Sequence, residues 1–181
     1  MGPVGSRRKR LVTAPMWASV GVALAACVTD LRTRRVPNAL TLSAAGAAVA
    51  FHALSQAGSG LPFALSGWGL GLLVFLPLFA VRGIGGGDVK LLAALGAWLG
   101  PSMVLWVAAF AAIAGGVFAL VVSAMHGYTG QAFSNVWGLL SYWRVMGVQT
   151  HPGLTLDATN APRLPYALPM AAGLGITLWL R

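Results

Sequence analysis

Residues 82–125 read RGIGGGDVKLLAALGAWLGPSMVLWVAAFAAIAGGVFALVVSAM. A basic, glycine-rich turn runs into Asp88, and from Val89 to Met125 the chain is apolar almost throughout, with Lys90 its one charge. As a single helix that stretch would be about 55 Å long, at a rise of 1.5 Å per residue. The hydrocarbon core of a bilayer is only about 30 Å thick. The stretch must therefore break, and Gly100-Pro101 is the place for it. The first piece, 89–100, is short for a crossing, so the glycine turn is expected to dip below the membrane surface. Irregular backbone at that depth is tolerated only where it lines a cavity or is buried in protein. This draws attention to Asp88.

The rest of the chain has the same character. Of 181 residues, 57% are hydrophobic and 8% charged, against about 25% charged in an ordinary soluble domain. The expected architecture is an all-α, polytopic membrane helix bundle of about six transmembrane helices, spanning 11–29, 39–57, 61–81, 89–100, 102–125 and 164–180. A basic tail, 1–10, precedes a membrane domain, 11–181. The first apolar run is longer than a signal-peptide core and ends in Asp-Leu-Arg-Thr-Arg-Arg, so it is expected to stay as a helix. Pro37 suits the first turn of the second helix. The more polar stretch 126–163 is read as a loop with an interfacial helix around 133–148.

The crossings fix a relation between two acids. Asp30 ends the first helix, two crossings follow, and Asp88 begins the fourth, which puts both on one membrane face. That face carries Arg32, Arg34, Arg35, Arg82, Lys90, Arg144 and Arg163. The other carries Arg7, Arg8, Lys9, Arg10 and Arg181. Seven bases against five make the aspartate face cytoplasmic by the positive-inside rule. The net charge of +9 thus resides in short loops between spans and at the chain ends, which fits topology better than nucleic-acid binding, and no nucleic-acid partner is expected.

Asp30, Asp88 and Asp157 are the only acidic side chains. An acid at a membrane helix end is costly unless paired, solvated or functional. Asp30 stands at a helix C-terminus, where the macrodipole disfavours an anion. Asp88 is suited to a helix cap, but four glycines in the five positions before it permit unusual backbone and close approach of another chain. An extended peptide could pair along such a strand. Two carboxylates suit peptide hydrolysis: one, ionised, takes a proton from water while the other, protonated, polarises the scissile carbonyl. Close carboxylates adopt these complementary states because both cannot ionise cheaply. Asp157 reads as solvated, His52 as a hydrogen-bonded packing residue, and Cys27 as a small packing residue. His126 and His151 lack ligand-like spacing, so no metal site is expected. The seven tryptophans read as interface anchors.

Two segments carry a resemblance. Asp30-Leu-Arg32-Thr-Arg-Arg-Val-Pro37-Asn38 and Gly83-Ile-Gly85-Gly-Gly87-Asp88-Val-Lys90-Leu resemble the paired signatures of the type IV prepilin peptidases, the GxGD membrane aspartic proteases. Pro165-Tyr166-Ala-Leu-Pro169 resembles that family's final-helix motif. The resemblance implies an aspartic endopeptidase that removes leader peptides from prepilin or pseudopilin precursors at the cytoplasmic face of the bacterial inner membrane. Their partners would be pilus or secretion machinery. Asp30 and Asp88 match the catalytic aspartates, and Arg32, Pro37, Asn38, Gly83, Gly85, Gly87 and Lys90 match supporting positions. Larger members also carry a cysteine-paired cytosolic region and N-methylate the product. This chain resembles the short form without that region, which leaves methylation doubtful, and no cofactor is expected. Two other readings use the same features. Intramembrane acids and a broken helix also mark transporters, and a non-catalytic pilus assembly factor would share the fold.

Overall fold

The computed structural model describes residues 4–56, 58–147, 149 and 165–180. These form helices α1 (Val4–Thr33), α2 (Asn38–Ser55), α3 (Gly60–Ala80), α4 (Gly86–Met125), α5 (Thr129–Met146) and α6 (Ala167–Leu180). The protein is an all-α bundle, as expected. Four helices are long and apolar enough to cross a membrane: Ala14–Thr33, α2, α3 and α4. Large apolar side chains such as Leu24, Leu54, Leu73, Ile113 and Trp179 point outward, the pattern of a bundle whose solvent is lipid.

Helix α4 is broken where expected. Gly100 has φ 80 and ψ 175, outside the helical region, and Pro101 lacks the N–H that would bond back across the gap. The break reverses the chain. A Cβ on Gly96 would lie 3.0 Å from the Val104 side chain, eight residues on, whereas two turns of unbroken helix would separate them by about 12 Å. At the other end, Gly115 abuts Tyr166, just before the α6 residue that bonds Asp30. The arms 86–99 and 101–125 thus form a hairpin within one 40-residue element.

The first arm is the centre of the molecule. Every residue from Leu91 to Gly100 is buried. A helix apolar on all sides needs partners on all sides, and α1, α2, α3 and α6 all pack against α4. Close approach to α3 rests on glycine. A Cβ on Gly67 would collide with the Gly96 carbonyl oxygen, and one on Gly71 would lie 2.7 Å from the Leu92 carbonyl oxygen. Small residues four apart let helix backbones touch where hydrophobic exclusion from water is absent.

His52 closes the break. The Trp98 carbonyl would bond the N–H of Ser102 in a continuous helix; instead His52 Nε2–H donates to it at 3.0 Å, and Gln56 Nε2 donates to His52 Nδ1 at 3.3 Å. The imidazole is 2% exposed and packs among Phe51, Phe63 and Trp98. It is the packing histidine expected. His52→Phe keeps the ring but leaves a buried carbonyl unpaired, at a cost of about 1–3 kcal/mol. A lowered Tm in detergent is the expected result.

Several boundaries differ from expectation. Helix α1 begins at Val4, not Leu11, so the basic segment is helical from there. It also runs one turn past Asp30, to Thr33. Pro37 is the N-cap of α2 and not its first helical residue. Helix α5 begins at Thr129, four residues before the expected start, and α6 at Ala167, three after its own. Asp157, His151 and Arg163 lie outside the described residues.

Candidate active site

The two signature segments meet at one end of the bundle. Helix α1 stops because Arg34 takes left-handed backbone, φ 53, with its N–H still bonded to the Asp30 carbonyl at 2.8 Å. Thr33 Oγ1 donates to Thr29 O and Arg35 O, tying off the last turn. The chain then passes through Val36 and Pro37 into α2. On the other side, Arg82 is left-handed as well, φ 56, and Gly83 N–H bonds Leu78 O at 2.8 Å, which turns the chain from α3 towards α4.

Glycine joins these turns. A Cβ on Gly87 would lie 3.1 Å from the Val36 Cβ, tighter than side chains normally pack, so the start of α4 sits directly on the α1–α2 connection. Lys90 Nζ donates to Asn38 Oδ1 at 2.9 Å, a second link between the two segments. The cavity at this junction has a volume of about 430 Å³ and is lined by Asp30 and Asp88 together with Arg34, Arg35, Pro37 and the backbone of Gly85–Gly87. Arg32 and Lys90 are exposed outside that lining, and Gly83 belongs to the preceding turn.

Both aspartates are held by backbone amides at helix N-termini. Asp88 is the third residue of α4, and the N-cap is Gly85. The sequence reading of Asp88 as the cap is corrected by three residues. Asp88 Oδ2 instead reaches back to accept the Gly85 N–H at 3.2 Å, the half of a capping box that an acid at this position supplies. Gly86 and Gly87 are consequently helical, so the glycine stretch offers no long extended strand for a peptide to pair with.

Asp30 stands near the C-terminus of its own helix, as expected, but α6 offsets the unfavourable dipole. The Ala167 N–H, first of α6, donates to Asp30 Oδ2 at 3.2 Å. An unpaired first-turn amide at the positive end of a helix is suited to a carboxylate. The Cys27 thiol, one turn earlier on α1, donates to the Ala167 carbonyl at 3.2 Å. Asp30 is 7% exposed and Asp88 is less buried.

The contribution of Ala167 was not legible in the sequence, because a backbone amide leaves no side-chain signature; the nearby Pro165-Tyr166 motif was the only signal. Gly115 on the second arm of α4 is level with Tyr166, and that arm runs on to Met125, about 15 Å further. His126 is exposed at the end of that arm, bonded to Val122 O at 2.8 Å. Among the described residues, no group of three or more His, Cys, Asp or Glu side chains comes together to hold a metal.

The model of the type IV leader peptidase family matches residues 17–120, a span that includes both aspartates. Two relatives, the prepilin leader peptidase/N-methyltransferases of Burkholderia pseudomallei strains 1026b and K96243, are each 38% identical over 110 residues, covering 55% of this chain and 34% of theirs. The chain thus spans about a third of the length of these curated relatives. No solved structure matches it significantly.

Proposed function

Because this chain belongs to the type IV leader peptidase family, we propose that it is a membrane aspartic endopeptidase that removes leader peptides from type IV prepilin or pseudopilin precursors, with Asp30 and Asp88 as its catalytic pair. The observation that carries this reading is the convergence of the two carboxylates on one cavity, from segments 58 residues apart in sequence, each held by a helix N-terminal amide.

The chemistry follows from the pair. One ionised carboxylate takes a proton from a water molecule as the water oxygen adds to the scissile carbonyl carbon. The other, protonated, gives its proton to the carbonyl oxygen. The tetrahedral diol then collapses, the C–N bond breaks, and the amine nitrogen leaves with the proton held by the first carboxylate. The second recovers its own from the diol. Water and peptide are consumed, acid and amine are formed, and the pair returns to one shared proton. Arg34 and Arg35 give the cavity that holds both carboxylates a cationic wall.

We place the site on the cytoplasmic side of the bacterial inner membrane, from the seven-to-five distribution of basic residues. Labelling of an Arg35→Cys variant tests this. A membrane-impermeant maleimide should react only in inside-out vesicles, and reaction in intact spheroplasts would reverse the orientation. Cys27 is buried and should not interfere.

The peptidase reading is tested by incubating the purified chain in bilayers with a prepilin-type precursor. Mass spectrometry should find one new N-terminus at the leader boundary, and an intact precursor would contradict the reading. The helix break that motivated a transporter is filled by protein: a Cβ on Gly100 would strike the Phe63 ring, and His52 occupies the freed carbonyl.

A further inference from the structure

We propose that Asn38 binds the main chain of the substrate, its side-chain amide donating to a non-reacting peptide carbonyl beside the carboxylate pair, and that Lys90 orients that amide; the inference rests on the aspartic-peptidase reading above. Asn38 is the first residue of α2. Helix side chains lean towards the N-terminus of their own helix. This one therefore leans towards the α1–α2 connection, against which the start of α4 is seated at Gly87. Asn38 lines the cavity that holds Asp30 and Asp88, and Lys90 does not.

The hydrogen bond between the two decides which way the amide faces. Lys90 stands one turn along α4 from Gly87, on the same face, and its Nζ lies 2.9 Å from Asn38 Oδ1. An ammonium group has three donors and no acceptor, so only the amide oxygen can face it. The Nδ2 group, with its two N–H donors, is turned away from Lys90 towards the cavity. No partner takes it among the described residues. Lys90 is also two residues from Asp88, so the bond fixes the amide to the helix that carries one of the two carboxylates.

The cavity needs such a donor. A peptide lying in it brings carbonyl oxygens out of water, and each needs a hydrogen bond in exchange. The carboxylate pair serves the scissile carbonyl. The Gly85 and Ala167 amides are taken by the carboxylates themselves. Arg34 and Arg35 present guanidinium forks, which match carboxylates better than single carbonyls. Asn38 is the one neutral side-chain donor among the described residues of the lining.

Asn38→Asp separates a substrate contact from a brace between helices. Aspartate matches asparagine in shape, keeps an oxygen for Lys90 and makes that bond charge-assisted, but it has no N–H. The test is steady-state cleavage of a prepilin-type precursor in bilayers by wild type, Asn38→Asp, Asn38→Ala, Lys90→Met and the double variant Asn38→Ala with Lys90→Met, each at the plateau of its own pH profile. Asn38→Asp and Asn38→Ala are expected to raise KM alike, by about 3- to 10-fold, the range of one neutral hydrogen bond. Their kcat should stay close to wild type. Both side chains are exposed, so Tm should hardly move. Lys90→Met keeps the stem but frees the amide to rotate, and is expected to raise KM less. In the double variant its effect should disappear, because the amide it orients is gone.

A wild-type KM in Asn38→Asp would make the pair a brace between α2 and α4 and overturns this proposal alone. So does a loss confined to kcat or Tm, or a Lys90→Met effect that persists in full beside Asn38→Ala. A wild-type chain that leaves the precursor intact overturns the peptidase reading and this proposal with it.

Discussion

Asp88→Asn and Asp30→Asn are each expected to reduce precursor cleavage by at least about 10³-fold while leaving the protein folded in the membrane. The magnitude follows from the roles. A positioned acid or base contributes about 10²–10⁴-fold, and each aspartate serves as one and then the other within a turnover. An amide side chain matches the carboxylate in shape and still accepts the Gly85 or Ala167 N–H, so the packing survives. It has no proton to exchange. The Asn variants also remove a charge from an apolar surrounding, which favours the folded state if it changes it at all. Their Tm should therefore equal or exceed that of wild type. Loss of activity together with loss of fold would instead make the aspartates structural.

The second large effect is on stability. Gly67→Leu is expected to prevent stable accumulation of the protein, and Gly67→Ala to cost about 3 kcal/mol or more, at the upper end of overpacking. Even a single methyl group at this position meets the Gly96 carbonyl oxygen and comes 2.8 Å from the Gly100 Cα. Those atoms are backbone and cannot rotate away, so α3 and the central arm must separate. Gly69, on the same helix, faces open space, and Gly69→Ala should be close to neutral. Abundance in membranes and Tm in detergent read both. Equal behaviour of the two alanine variants would mean that the glycine contact between α3 and α4 is absent.

Much of this was legible in the sequence because it rests on length and on special residues. A 37-residue apolar stretch exceeds one crossing, and Gly100-Pro101 is the only strong break within it. Crossing parity then placed Asp30 and Asp88 at the same end, where they share a cavity. The packing role of His52 followed from a lone polar ring in an apolar span. Its partner did not, because the Trp98 carbonyl becomes available only through the reversal at Gly100. The cap of α4 was misplaced onto Asp88 because a carboxylate three residues into a helix can bond back to the cap as readily as it can serve as one. Asp30 looked isolated at an unfavourable helix end. Its compensation comes from α6, 137 residues away, through an amide that any residue type would supply.

The central claim is that Asp30 and Asp88 act as one unit on a peptide bond. The most direct measurement is single-turnover cleavage of a prepilin-type precursor by wild type, Asp30→Asn, Asp88→Asn and the double variant, side by side. Groups that work as a unit are strongly non-additive. Wild type should release the leader, and all three variants should fall to the same residual rate. A single variant that retains turnover, or a double variant that loses the product of the two separate losses, would contradict a shared catalytic pair.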